Sequence, residues 1–414
     1  MCRGFPPREG ARPLSDHPDG TAYPGGAMSR PAATLTTAQV AGLLGVKVET
    51  VYAYVSRGLL EPVRRGGPGG SLFDAAAVQA LRGGLSRPAR RATGDPVEVR
   101  TQLTRIEGDR LSYRGRDAVE LSRTASFEEV CALLWATDAA QAREPGESSR
   151  ATLERLRQAL PPRTGVLDRL KHAVLVAGAT DPGRHDRRPE AVVQAGERSQ
   201  GFMLAGLGGP PGGSVAEALA AGLGAPDVAD VEAALVLLAD HDMAVSTTAL
   251  RVAVSGGADL YSALLAALAT ADSPLHAMAP ATAVGWVREA LDDPHAVLGQ
   301  ALASDRPPIG FGHRVYQHVD PRAEELYRRV TARADRAVTD AVDLVRGELL
   351  ERRGWPMTVD LPLALWTVVE GLPRDAGPAL FATARTAGWT AHALEELEEP
   401  GMRFRLTGIY TGER

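Results

Sequence analysis

From Phe127 to Glu398, apolar residues recur every three to four positions, and runs that alternate apolar with polar are nearly absent. That period belongs to helices with one buried face. The spacing predicts helices over Phe127–Thr137, Ser149–Leu160, Leu167–Gly178, Glu190–Leu207, Val215–Leu223, Val228–Leu238, Ser246–Ser255, Leu260–Ala271, Thr282–Leu291, Pro321–Arg352, Leu361–Val369 and Pro378–Glu398. Ahead of them, the short runs Arg100–Ile106 and Leu111–Tyr113 flank Glu107-Gly108-Asp109 and read as a β-hairpin. A mostly α fold follows, and 414 residues are too many for one ordinary core.

The first 95 residues divide differently. Residues 1–33 are rich in Pro, Gly and Arg without periodicity and read as a disordered tail. Residues 34–82 read as a compact unit. Thr36 and Thr37 stand where a cap is needed for a helix over Ala38–Leu44, and Gly45 ends it. A second helix runs over Val48–Arg57, a glycine-rich turn spans Gly66–Gly70, and a third helix is expected over Ala75–Leu81. Residues 83–95 read as an exposed linker. The unit at 34–82 resembles the winged helix-turn-helix of mercury-resistance-type regulators, in the order T-x-x-x-V-A-x-L-L-G-V and T-V-x-x-Y-V-x-x-G-L-L. That likeness implies DNA contact by Thr50, Tyr52 and Arg57, with Arg64 and Arg65 on the wing near phosphates. A plain interaction or oligomerisation module is the other reading.

The formal net charge is −5, so nucleic acid can be met only by a local patch, and 5% aromatic residues argue against a base-stacking platform as the main business. The two cysteines, Cys2 and Cys131, have no paired spacing; Cys131 lies in an apolar helical run and is expected as a buried, inert thiol. No apolar stretch is long enough to span a bilayer and no signal peptide is evident, so no membrane partner and a cytoplasmic location are expected.

The chemistry concentrates in Gly310-Phe311-Gly312-His313-Arg314-Val315-Tyr316, followed by Asp320-Pro321-Arg322. Glycines let backbone approach a ligand, histidine polarises a carbonyl, and arginine grips a carboxylate with two hydrogen bonds. A small carboxylate with a reacting carbonyl suits this loop.

This segment resembles the signature of the citrate synthase family, G-F-G-H-R-V-Y followed by D-P-R. The likeness extends over roughly residues 97–412: Tyr113-Arg114-Gly115, Ala239-Asp240-His241-Asp242, Asp259-Leu260-Tyr261-Ser262-Ala263, Ser273-Pro274-Leu275-His276, Thr358-Val359-Asp360 and Ala384-Arg385-Thr386-Ala387-Gly388-Trp389 follow in family order. It implies large and small helical domains over 96–414, the small one inserted at roughly 277–362. It also implies condensation of acetyl-CoA with oxaloacetate in a homodimer, with no metal or prosthetic group. Asp360 would be the base, His276 the donor to the thioester oxygen and His313 the group that polarises the ketone. His241, Arg322, Arg385 and Arg403 would bind oxaloacetate, the last reaching a partner subunit's site, and Arg314 would meet CoA phosphates.

Each of these residues also has an ordinary reading. Asp360 could be a helix cap, His276 a core histidine, Arg385 a surface ion pair, and Asp240-His241-Asp242 a poor metal site. Their joint order is what raises them. The chain departs from the family where Ala277-Met278-Ala279-Pro280 replaces G-G-A-N, where Ala244 stands near a usual asparagine, and where Arg403-Phe404-Arg405-Leu406 replaces R-P-R-A. These changes leave open a 2-methylcitrate synthase using propionyl-CoA, and a transcriptional regulator that senses CoA or a 2-oxo acid with a synthase fold.

Overall fold

The computed structural model describes residues 34–44, 46–56, 60–64, 66, 70–75, 78, 99–313, 315–406, 410 and 412. The chain divides into two compact units, Met1–Pro96 and Val97–Arg414.

In the first unit, Thr36 and Gln39 cap the helix Thr37–Leu44 reciprocally: Thr36 Oγ1 accepts from Gln39 N at 3.4 Å, and Gln39 Oε1 accepts from Thr36 N at 2.8 Å. The helix Val48–Ser56 follows. Three short antiparallel strands, Thr34–Thr36, Leu72–Asp74 and Pro62–Arg64, lie in that order, with Leu35 opposite Phe73. Val40, Val51, Leu60, Phe73 and Val78 form the small core. The hairpin between Pro62–Arg64 and Leu72–Asp74 is the wing expected from the glycine-rich turn. Tyr52 and Arg64 are exposed and Thr50 is half-buried; Arg57, Arg65 and most of the third helix lie outside the described residues.

The second unit is helical except for one small sheet. Strands Thr104–Glu107, Arg110–Tyr113 and Arg116–Asp117 form an antiparallel meander. At its centre the helix Ala376–Glu398 is buried along most of its length and packs against helices Phe127–Trp135, Pro189–Gly206, Val228–Leu238, Val245–Ser255 and Leu260–Ala271. Gly388 permits this approach. A Cβ there would stand 2.2 Å from Asp240 Oδ1 and 2.7 Å from the Ala239 carbonyl, whose oxygen accepts Gly388 N at 3.0 Å.

Several boundaries differ from the periodic reading. The helix expected over Pro321–Arg352 is two, Pro321–Thr331 and Arg336–Arg353. No Gly or Pro marks the break; Arg333 lies in it, with its guanidinium paired to Asp227, Asp230 and Glu370. Helices Ala118–Thr124 and Pro294–Ala303 were not foreseen, being too short or too weakly patterned for the period to register. Cys131 is buried and free, as its apolar setting implied. Among the described residues no helix is long and apolar enough to cross a membrane.

Candidate active site

Gly310 and Gly312 adopt φ of 99° and 77°, the region glycine enters without strain. A Cβ on Gly312 would meet Pro307 Cγ at 2.7 Å. This backbone is tied to a distant segment: Gly312 N donates to Pro356 O at 2.8 Å and Thr358 N to Gly310 O at 2.8 Å, with Phe311 bridged to Met357. The ladder ties the backbone that precedes His313 to the backbone that precedes Asp360, two segments that no local pattern could join.

Asp320 completes the junction. It caps the helix Pro321–Thr331, grips Arg322 Nε at 3.0 Å and Nη2 at 2.9 Å, and accepts Val359 N at 3.2 Å. Asp320 and Arg322 are almost fully buried. Burial alone would depress the guanidinium pKa, but the Asp320 charge overrides it and holds Arg322 firmly cationic. The cation also lies over the Tyr316 ring, 5.4 Å from its centroid.

The His313 ring has a defined tautomer. Its Nδ1 lies 3.0 Å from Val315 N and 3.3 Å from Tyr316 N. Backbone N–H can only donate, so Nδ1 accepts and the neutral ring carries its proton on Nε2. Burial, then the Arg322 charge, push its pKa down to about 4, with Asp320 opposing. His276 is likewise pushed down to about 4, by burial and then by Arg385. Its Nε2 sits 2.7 Å from the buried Ser246 Oγ. When Ser246 donates, the free donor of the neutral ring is Nδ1–H.

His241 is brought to the same place. Its ring centroid lies 5.2 Å from that of His313, and its Nε2 is 3.1 Å from Tyr316 Oη. Burial and the charges of Arg322 and Arg385 hold its pKa well below the ordinary value. The neighbouring Asp240 is fully buried and accepts from Thr104 Oγ1 at 2.5 Å, with His392 Nε2 at 3.3 Å, so its Oδ2 serves the scaffold.

Arg385 is the second buried cation. Its Nε donates to Leu238 O at 3.1 Å, its Nη1 has no partner, and the group lies 4.7 Å from the Phe381 ring centroid. Burial lowers its pKa to about 10. An unpartnered guanidinium nitrogen inside a protein is costly and fits an anionic group. Phe381 also packs edge-on against His276 at 5.3 Å.

Asp360 is not the helix cap of its ordinary reading. Val359 occupies the cap of Asp360–Val369, and Asp360 is the first helical residue. Its Oδ2 accepts from Thr358 Oγ1 at 3.0 Å. Burial nevertheless raises its pKa to about 6, against the Thr358 bond and the Arg322 charge. A carboxylate poised near neutrality can take a proton, and histidines held neutral can donate hydrogen bonds.

Two anticipated residues are not among the groups described above. Arg314 lies outside the described residues. Arg403 is engaged within its own chain, donating from Nε to Glu396 Oε1 at 2.7 Å and from Nη2 to Glu396 Oε2 at 2.5 Å. Sequence reasoning gave no role to Tyr316 and Asp320, although both lie in the quoted motifs, nor to Ser246 and Phe381, which carried no signal of their own. The altered segment after His276 is absorbed into packing. Ala277 is fully buried, and Pro280 sits at the start of the helix Ala279–Asp292 against Gly377, where its missing N–H costs nothing. A cavity of about 480 Å³ elsewhere is lined by Arg143 and Arg150, already paired with Glu197 and Glu144.

Comparison with known proteins agrees with this geometry. Residues 95–406 match the family model for the citrate synthase C-terminal domain, and residues 34–82 match one for a helix-turn-helix domain. The chain is 32% identical over 348 residues to 2-methylcitrate synthase 2 of Corynebacterium glutamicum, covering 74% of this chain and 90% of that one. It is 28% identical over 362 residues to citrate synthase 2 of Bacillus subtilis, covering 76% and 94%. Citrate synthase from Thermotoga maritima superposes with a TM-score of 0.63 at 25% identity, covering 77% of this chain and 94% of that one. The fold is also shared with the ternary complex of Thermoplasma acidophilum citrate synthase with carboxymethyl coenzyme A and oxaloacetate, at a TM-score of 0.65 and 24% identity, covering 77% and 95%.

The raised pKa of Asp360 has a consequence for stability. The fold disfavours the ionised form, so a penalty is absent below the ordinary value of 3.8 and fully present above about 6. Asp360→Asn, uncharged at every pH, is expected to stabilise the protein at pH 8 by roughly 1–2 kcal/mol, less than the full shift because the residue keeps some solvent contact. Urea midpoints should show the gain at pH 8 and its loss as the pH falls toward 4. Equal stability of the two proteins at pH 8 would contradict the assignment.

Proposed function

The chain belongs to the citrate synthase family, and from that premise we propose that it condenses acetyl-CoA with oxaloacetate to give citrate and CoA. The observation that carries the reading is the opposite displacement of three buried groups around two buried cations: Asp360 is raised toward neutrality while His276 and His313 are held neutral, with Arg322 acting on Asp360 and His313 and Arg385 on His276. Arg322 and Arg385 bind the two carboxylates. His313 Nε2–H polarises the ketone. Asp360 removes a methyl proton while His276 donates to the thioester oxygen, which stabilises the enol. The nucleophilic carbon attacks the ketone, whose oxygen takes up a proton, and water then cleaves the thioester to release CoA. The segment 277–362 is proposed as the smaller domain.

Similarity to a 2-methylcitrate synthase supports propionyl-CoA as the alternative donor. Purified protein should release free thiol from acetyl-CoA or propionyl-CoA when oxaloacetate is supplied, and the ratio of kcat/KM values assigns the donor. The rate should fall about tenfold per pH unit below about pH 6, where Asp360 protonates. Asp360→Asn should lower kcat by roughly a thousandfold or more. No thiol release with either donor would remove the enzymatic reading.

A homodimer is part of the proposal. Leu175 on the helix Val166–Ala179, and Val245 and Val252 on the helix Val245–Ser255, are exposed apolar residues that support burial against a second copy. In such a dimer Arg403 would have to leave Glu396 to reach a partner's site, whereas Arg405 is exposed with no ion pair among the described residues. Sedimentation should give twice the 43.7 kDa of one chain; a monomer that turns over would refute shared sites.

The helix-turn-helix match supports a second role for the first unit, contact with DNA through Thr50, Tyr52, Arg57, Arg64 and Arg65. A gel-shift with DNA from upstream of the coding sequence should show binding that weakens with rising salt. If oxaloacetate or a CoA ligand alters the shift, the protein is a sensor as well; no shift at low salt would leave the unit as an interaction module.

A further inference from the structure

The hairpin of strands Thr104–Glu107 and Arg110–Tyr113 has no place in the chemistry above, yet both of its ends hold residues that do. Glu107 pairs with Arg110, leaving Gly108 and Asp109 as the turn, with φ of 54° and 58°. Both values are positive, as a tight hairpin turn with the natural strand twist requires. The geometry aims the Asp109 carboxylate at another loop. Oδ1 accepts Gln317 N at 2.8 Å; Oδ2 accepts His318 N at 2.9 Å and Val319 N at 3.3 Å, and lies 3.1 Å from His318 Nδ1.

Those three backbone groups lie between Tyr316, which bonds His241, and Asp320, which clamps Arg322. The loop has little else to hold it: Val315, Gln317, His318 and Val319 are all exposed. Charge-assisted bonds to three successive N–H groups fix its path far more firmly than water would. The base of the same hairpin grips the other half of the site. Thr104 Oγ1 donates to Asp240 Oδ2 at 2.5 Å, and Tyr113 Oη donates to Leu237 O at 3.1 Å and lies 3.2 Å from Asp240 O, immediately before His241.

We propose that the hairpin is a brace setting the spacing between the His241 turn and the His313–Arg322 loop, and that Asp109 is its positioning residue for the 2-oxo acid. The proposal rests on the reading of this site as one for oxaloacetate. Asp109 touches no reacting atom; it acts through Tyr316, His313 and Arg322 by keeping their loop in the binding-competent path. Without the carboxylate, that path is a smaller fraction of the loop's conformations, and apparent affinity falls by the same fraction.

Asp109→Asn and Asp109→Gly isolate this effect, because Asn and Gly both accept a left-handed turn position while Asn replaces one acceptor oxygen with an amide donor and Gly removes both. Calorimetry on the full-length protein should show oxaloacetate binding weakened about tenfold in both variants, with the Kd for CoA alone changed less than twofold. In turnover the loss should fall on KM for oxaloacetate, with kcat within about threefold of the parent, and the melting temperature should stay within about 2 °C. Wild-type oxaloacetate affinity in both variants would overturn the proposal, as would an equal loss of affinity for both ligands. A parent protein that binds no oxaloacetate would instead overturn the functional reading beneath it.

Discussion

The ion pair between Asp320 and Arg322 is the interaction on which the rest of the site depends. Taking a guanidinium out of water costs several kcal/mol, and the cost is recovered only with an opposite charge in good geometry and its remaining bonds filled. Asp320 meets these conditions with two contacts to Arg322 and a third to Val359 N. The same carboxylate therefore buries a cation for an anionic substrate and fixes the segment that presents Asp360. Removing it would leave a buried charge unpaired and would also free the backbone before the base.

That buried cation sets the protonation states around it. Arg322 acts on His313 and His241, and Arg385 on His276 and His241, each adding to burial in favouring neutral imidazole. Neutral rings do not compete with the substrate's carboxylates for charge, and their remaining N–H bonds are available to oxygen. Burial also favours the neutral form of Asp360, but there the Arg322 charge opposes it, and burial outweighs that attraction. Burial thus holds the histidines neutral and raises the carboxyl toward neutrality, the protonation states that the proposed donor and base roles need, without any of them being unusual in type.

The helical architecture was legible because burial of one face leaves a period, and that period is strong in helices such as Glu147–Ala159 and Pro321–Thr331. The break at Ala332–Asp335 was not, since no Gly or Pro marks it and Arg333 within it pairs with residues remote in sequence. The same division holds in the site. His313, Arg322, Asp360 and Arg385 were found by motif order, whereas the tautomer of His313, the bridge from Asp320 to Val359 N and the brace at Asp109 depend on contacts between segments far apart in sequence. The ordinary reading of Asp360 as a helix cap failed for a local reason, the backbone entering the helix one residue earlier, at Val359.

The substituted segment Ala277–Pro280 fits the same picture. Glycines and an asparagine there would leave room and polar groups beside His276; this chain fills the space with Ala277 in the core and Pro280 against Gly377. Such packing fixes the start of the helix Ala279–Asp292 without supplying a side-chain donor. His276 must then be oriented by other means, and Ser246 Oγ at 2.7 Å and the edge of Phe381 provide them. Ser246 comes from the helix whose cap, Ala244, offers no side-chain bond. Ser246, in the buried first turn of another helix, and Phe381 thus hold the His276 ring in place, while burial and the Arg385 charge keep it neutral.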